Sequence, residues 1–251
     1  MEWFIKFARP AIGARPIAEI TAPEILAILP PIEARRRHEA AKMLRGAIGQ
    51  VFRFAIATGR AESDPAGALK GALASPIVQH RAAIIEAKAF GGLLRAIATY
   101  DGAPATKAAL KLLALTFVRR GELRAAEWAD FDLETGVWSI PAQKMKMRRA
   151  HRVPLAPQAV AILRDLKPIT GGNKFLFPSV RSAARCMSEN TINAALHRLG
   201  FQKDEMTGHG FRSAASSMLN ESDLWSADAI ERQLAHVDTD SVRRAHARAD
   251  Y

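Results

Sequence analysis

His209 and Arg212 stand three positions apart in Thr207-Gly208-His209-Gly210-Phe211-Arg212, where an amphipathic run to Leu219 begins. On a helix, that spacing puts both side chains on one face. A His–Arg pair at a helix start, behind glycines that let backbone approach closely, suits the seating of a phosphate. Alone the pattern is weak, because a lone His-x-x-Arg is more often structural or solvated. Other cations supply the partners it needs. Arg119 and Arg120 directly follow an apolar stretch with Leu112, Leu113, Leu115 and Phe117. An arginine beside a core requires an anion or a carboxylate, and in the plainest reading Glu122 or Asp130 pairs with it. Lys144 and Lys146 lie in a basic run between two strand-like stretches, and His236 follows further on. Two arginines can grip two non-bridging oxygens of one phosphate and stabilise a pentacoordinate transition state. A lysine at a hairpin tip can protonate a leaving alkoxide, and a histidine can accept or donate a proton. That is phosphoryl transfer with no metal and no cofactor. The sequence shows no carboxylate cluster of the kind a two-metal nuclease needs.

The elements that must position these groups fall into two units. Thr21-Ala22-Pro23-Glu24 is a capping box for a short helix through Leu26, Ile28 and Leu29, stopped at Pro30-Pro31. A longer helix is expected over about 33–58, with Met43, Ile48, Val51, Phe52, Phe54 and Ile56 as its apolar side and Gly59 at its stop. Arg35, Arg36, Arg37, Lys42, Arg45 and Arg53 recur along it, either as a solvated face or as a clamp on DNA phosphates. Residues 74–81 lack helical periodicity and contain Ser-Pro, so they read as a linker. The expected domains are 1–77 and 78–251. In the second, helices are expected over 84–100 and 103–117, then from Arg119 through Trp128. The period then switches to two in Gly136–Pro141 and His151–Leu155, with Phe131-Asp132-Leu133 as a third strand. Lys144, Arg148 and Arg149 would sit on the exposed hairpin tip, where cations can reach a ligand. Helices return over 157–166, from a Ser188 cap to Leu199, from Phe211, from Ala227 to His236, and over Ser241–Ala249. The fold class is mainly α with a small antiparallel β-sheet (α+β).

The 251 residues are 49% hydrophobic, enough for a sizeable core, and carry a formal net charge of +11. Such an excess points to a polyanion, with nucleic acid ahead of a membrane surface. No apolar run is long enough to span a bilayer, and the N-terminus has no signal-peptide pattern. One cysteine, Cys186, excludes an intrachain disulfide and suits a reducing cytoplasm.

Taken in order, Thr116-Phe117-Val118-Arg119-Arg120-Gly121-Glu122-Leu123, the hairpin Met145-Lys146-Met147 before His151-Arg152-Val153-Pro154-Leu155, His209-x-x-Arg212, and Glu231-Arg232-Gln233-Leu234-Ala235-His236 resemble the tyrosine recombinases. The wording is most similar to the integrases of prophages and genomic islands. The resemblance implies a helical core-site-binding domain in 1–77 and a catalytic domain beyond it. It implies that Arg119 and Arg212 hold the scissile phosphate and that Lys146 is the general acid toward the 5′-oxygen, with Lys144 as the lesser choice. His209 would assist proton transfer, and His236 would bind the phosphate or orient the nucleophile. The nucleophile would be a tyrosine forming a 3′-phosphotyrosyl link. In such integrases it lies nine or ten residues after the last histidine, where this sequence has Ala245 and His246. Tyr251 aligns with the family's second, non-catalytic tyrosine, and Tyr100 is the only other tyrosine in the chain. Either Tyr251 has taken over, or His246 is used, or the chain binds DNA without cleaving it. The implied partners are double-stranded DNA attachment sites, a tetrameric synapse on DNA formed from monomers in free solution, and accessory excision or DNA-bending proteins, with no membrane. Relatives commonly carry an arm-binding domain upstream and a segment past the second tyrosine. Their absence from the sequence suits a decaying mobile-element gene or an excised piece. A type IB topoisomerase shares the chemistry, but Leu234-Ala235-His236 and the helical first unit favour the integrase.

Overall fold

A computed structural model describes residues 4–73, 82–145 and 147–236, and the chain divides into two units, 1–79 and 80–251. The first unit is helical: α1 (Arg9–Ile12), α2 (Ala22–Ile28), α3 (Pro30–Glu33), α4 (His38–Ala57) and α5 (Pro65–Ala68). Helix α2 starts as expected, with the Thr21 backbone N–H and hydroxyl both donating to Glu24 Oε2 at 2.9 Å. Pro30-Pro31 does not merely stop that helix. It opens α3, because a proline's fixed φ and missing N–H are tolerated in a first turn. The expected helix over 33–58 is broken at 34–37, where Arg36 has a φ of +55°. Arg35, Arg36 and Arg37 therefore lie on a turn, not on a helical face.

The apolar side of α4 also differs. Ala41, Leu44, Ile48, Phe52 and Ala55 are buried, at steps of three and four, with Ile25, Leu29 and Ile32 in the same core. Ile48 and Phe52 belong to it as expected, whereas Met43 (67%) and Phe54 (65%) are the most exposed of the remaining four, with Val51 and Ile56 also outside. Asp64 caps α5, accepting from the N–H groups of Ala66 (3.0 Å) and Gly67 (3.2 Å). The expected linker over 74–81 lies outside the described residues.

The second unit is mainly α with a small antiparallel sheet. Its helices are α6 (Ala87–Ala98), α7 (Pro104–Thr116), α8 (Arg120–Arg124), α9 (Pro157–Thr170), α10 (Thr191–Arg198), α11 (Gly210–Glu221) and α12 (Ala227–Gln233). Strands β1 (Phe131–Asp132), β2 (Val137–Ile140) and β3 (His151–Pro154) form an antiparallel sheet in that order, with Trp138 opposite Val153 and Ile140 opposite His151. A second ribbon, β4 (Pro178–Ser179) with β5 (Ser182–Cys186), carries no clear sequence signal. Helix α8 is one turn long rather than reaching Trp128, and α10 begins after Asn190, whose side chain makes no cap bond, and not directly at Ser188. Tyr100 and Phe211 lie in one core with Trp138, Phe177 and the buried side of α7. Phe90 meets Phe211 edge-on, with ring centres 6.3 Å apart, which fixes α11 against α6. Helix α7 ends in left-handed Phe117 at φ +56°, a turn that presents its last carbonyls to α11 and α12.

Candidate active site

The carboxylate of Glu122 is the anchor. It is buried at 6% exposure, on α8, and accepts from the Arg119 backbone N–H at 2.9 Å and from Arg119 Nη1 at 2.8 Å. Of the two carboxylates weighed for pairing, Glu122 is the one that holds Arg119. Asp130 is engaged elsewhere. The other Arg119 nitrogen, Nη2, donates to the carbonyl of Ala235 at 3.2 Å, just before His236. One guanidinium thus ties α8 to the end of α12.

Arg212 enters from the first turn of α11 and is 5% exposed. Its Nη1 donates to the Phe117 carbonyl at 3.2 Å, while Nη2 is buried with no partner among the described residues. Burial first, then the nearby charge of Arg119, pulls its pKa down to about 10, against the pull of Glu122 and Glu231. It remains a cation at neutral pH. Gln233 of α12 donates to the Thr116 carbonyl at 2.9 Å, so the two last carbonyls of this chain reversal, Thr116 and Phe117, hold α12 and α11 respectively.

His209 is half-buried at the N-cap of α11, and its carbonyl accepts from the Arg212 N–H at 3.1 Å. The flanking glycines do not open the backbone to a ligand. A Cβ on Gly210 would sit 2.6 Å from the Ala82 carbonyl and 2.7 Å from Met206 Sδ, and one on Gly208 would sit 2.9 Å from Ile192. Their smallness admits the protein's own chain. His236 lies past the end of α12 rather than on it, after Ala235 at φ +46°, with its Nδ1 2.6 Å from Glu231 Oε2.

The hairpin cations divide. Lys144 is not on an exposed tip. It lies on a 3-10 turn (Ala142–Lys144), and its Nζ is 2.6 Å from Asp130 and 3.1 Å from Glu127. Burial works against the charge on Glu127, but the hydrogen bond and charge of Lys144 outweigh it and lower the carboxyl's pKa. Arg148 and Arg149 are exposed. Lys146, His246 and Tyr251 lie outside the described residues. In the first unit, Lys42 is exposed. Arg45 donates to the Ala66 carbonyl at 3.0 Å, Arg53 pairs with Asp64 at 3.0 Å, and Arg35 lies 5.8 Å from the Phe7 ring centre. Tyr100 is buried in the core, which excludes it from surface chemistry. Among the described residues, no three of His, Cys, Asp and Glu come together as a group that could hold a metal ion.

One member was missed in the sequence. His151 of β3 lies near this cluster: its Nε2 is buried without a partner among the described residues, and its charge is acted on by Glu122, Arg212 and Arg119. Desolvation is the first reason that its pKa falls below the ordinary value. The signal was available, because the period of two places His151 on the same side of β3 as fully buried Val153.

Residues 1–72 match the phage integrase central domain, and residues 85–251 match the phage integrase family. The integrase of Enterobacteria phage P4 is 39% identical over 250 residues, covering 94% of this chain and 57% of that protein. The chain thus spans little more than half the length of that curated relative. A Tn1549 transposon integrase in complex with transposon right end DNA has a TM-score of 0.76 at 12% identity, over 100% of this chain and 87% of that one. A lambda integrase tetramer bound to a Holliday junction has a TM-score of 0.71 at 21% identity, over 100% and 72% respectively. At those identities the two structures share the fold.

Proposed function

The chain belongs to the phage integrase family, and from that premise we propose that it is a site-specific DNA recombinase working through a 3′-phosphotyrosyl intermediate. The observation that carries this reading is the gathering of Arg119 and Arg212 around one buried carboxylate, with Arg212 Nη2 left unpaired. Glu122 and Glu231 both act on the Arg212 charge, yet its Nη2 still lacks an acceptor among the described residues. An incoming phosphate supplies the missing acceptor.

In this reading Arg119 and Arg212 bind the two non-bridging oxygens of the scissile phosphate. A tyrosine oxygen attacks phosphorus, the bond from phosphorus to the 5′-oxygen breaks, and Lys146 delivers the proton that this oxygen takes up. His209 receives or relays the tyrosine proton, and His236 bonds the phosphate or orients the nucleophile. The role of Lys146 rests on the family resemblance. Lys144 is the poorer acid because Asp130 and Glu127 already hold its ammonium. The unit over 1–79 is the core-site binder, with Arg35, Arg36, Arg37, Lys42, Arg45 and Arg53 as its basic residues, and the unit over 80–251 is catalytic, with Arg148 and Arg149 reaching DNA. The partner is a double-stranded attachment site. Four copies form the synapse, as the lambda integrase tetramer on a Holliday junction does, and DNA-bending or excision proteins assist.

Covalent trapping on a nicked suicide substrate from the element's own end tests the reading. The expected result is an adduct that Tyr251→Phe abolishes. An adduct that forms only after His246→Tyr would instead identify a chain that binds DNA and has lost its nucleophile.

A further inference from the structure

Strands β4 and β5 make a ribbon that buries almost none of its own side chains. Residues 180–185 are all exposed, and Val180 at the turn is 99% exposed. A two-stranded ribbon is marginal in water by itself, and this one is held from its base. The Met187 N–H donates to the Phe177 carbonyl at 2.8 Å, and both side chains are buried. Helix α8 supplies the rest. Arg124 Nη1 lies 3.0 Å from Cys186 Sγ and donates to the Met187 carbonyl at 3.1 Å, and Arg120 Nη1 donates to the Glu189 carbonyl at 3.4 Å. Arg120 and Arg124 are four positions apart and so share a face of α8. Arg119 and Glu122, at the start of the same helix, bond each other in the candidate active site. One short helix therefore registers the ribbon against that site.

What the ribbon holds out is positive charge. Arg181 at the turn and Arg185 on β5 are exposed, and neither guanidinium has a hydrogen bond or ion pair among the described residues. From Pro178 to Ser188 the sequence has no Asp or Glu. A groove of about 890 Å³ runs beside the ribbon, with Arg124, Arg181, Arg185, Ser179, Ser188 and Thr191 in its wall and no carboxylate among the described residues that line it. Glu189 meets Arg124 at 3.6 Å but leaves the two ribbon arginines unmatched. Exposed arginines are usually only solvated. Two of them on an anchored ribbon free of acids, with hydroxyls alongside, suit a polyanion. We propose that the β4–β5 ribbon is a second hold on DNA in the catalytic unit: Arg181 and Arg185 bond backbone phosphates away from the scissile one, and α8 fixes that hold relative to Arg119. The inference rests on the reading of the chain as a DNA-acting protein. Between the two arginines lie only Ser182, Ala183 and Ala184, with none of the amide or acid groups that pair with base edges. The contact is therefore to the backbone, and the anchored ribbon lowers the ordering cost of making it.

The test is binding of the full chain to two duplexes of equal length, one from the element's own end and one of unrelated sequence, by fluorescence anisotropy over a range of salt. Arg181→Ala combined with Arg185→Ala should weaken both complexes about 10- to 30-fold at roughly 50 mM salt. It should also make the fall of log affinity with log salt shallower by about 2, one phosphate for each arginine. Arg181→Lys combined with Arg185→Lys keeps both point charges and should stay within about threefold of the parent. Arg164→Ala combined with Lys167→Ala removes two exposed charges from α9 and should leave the salt slope within about 0.5 of the parent. An alanine pair on the ribbon that behaves like the parent, or like the α9 pair, overturns the proposal. So does a lysine pair as weak as the alanine pair, or a loss confined to the element's own end, which marks base reading. Covalent trapping on the same DNA separates the two readings. If the parent forms no adduct yet the ribbon alanines flatten the slope, the recombinase reading fails and this one stands; an adduct with an unmoved slope gives the reverse.

Discussion

A buried guanidinium with an unfilled donor carries a free-energy penalty that folding has to absorb elsewhere, and Arg212 is such a group. If a phosphate fills that donor, as proposed, the penalty is relieved only in the bound state, and most where negative charge on the phosphoryl oxygens peaks. Arg212→Ala should accordingly abolish covalent trapping while lowering duplex affinity by less than about tenfold, because many phosphate contacts share the binding. A large loss of affinity with cleavage intact, measured by gel shift and trapping on the same DNA, would remove Arg212 from the grip. His151 also leaves a mark on stability. Its folded pKa lies below its unfolded value, so the unfolded chain binds the proton more readily. Stability from this group is complete above about pH 6.5, falls as the pH drops below that value, and levels off beneath the folded pKa. Thermal midpoints should decline less from pH 7 to 5.5 in His151→Gln than in the parent. Residue types were the legible part of the site. Arg119, His209, Arg212 and His236 stand out by kind and spacing, and Glu122 is one of two carboxylates expected to pair beside Arg119, as it does. Its role depends on burial beside two guanidiniums, which spacing does not express. In the sequence His151 is one strand residue among several, and only the face it shares with buried Val153 sets it apart.

Helix α4 shows where reading by composition misleads at the scale of an element. Counting apolar residues selects Met43, Val51, Phe54 and Ile56, but the buried phase runs through Ala41, Leu44, Ile48, Phe52 and Ala55. Small Ala41 and Ala55 carry that phase, and alanine is easily passed over as core. Phe52→Ala should lower stability by about 3–5 kcal/mol, and Phe54→Ala should stay within about 0.5 kcal/mol. Urea unfolding followed by circular dichroism compares them, and equal losses would contradict the phase. The β2–β3 hairpin was legible because alternation persists through Val137–Ile140 and His151–Pro154. The break before α4 was not, since Arg36 enters the left-handed region without a glycine to announce it. The β4–β5 ribbon was equally silent: Ser182–Cys186 is nearly all exposed and shows no period.

Each unit of the molecule has its own buried cluster, and the whole chain carries a net charge of +11. If that charge meets DNA, affinity should fall steeply with salt, by roughly a thousandfold between 50 and 200 mM for about six phosphate contacts. A flat response in fluorescence anisotropy would separate the basic surface from DNA binding. Charge and helical bias were readable from composition, while the convergence of distant stretches was not. The Arg119–Ala235 bond spans 116 positions, Gln233–Thr116 spans 117, and Arg212–Phe117 spans 95. Those separations impose an order on the chain as it leaves the ribosome. Helices α6 and α7 and the hairpin can pack early, yet Arg119 waits for more than a hundred further residues before Ala235 emerges to complete its bonds. A nascent chain that has not reached Gln233 lacks both the Gln233–Thr116 and the Arg119–Ala235 bonds. The ties from the reversal after α7 and from Arg119 to the end of α12 therefore close only once Ala235 has emerged.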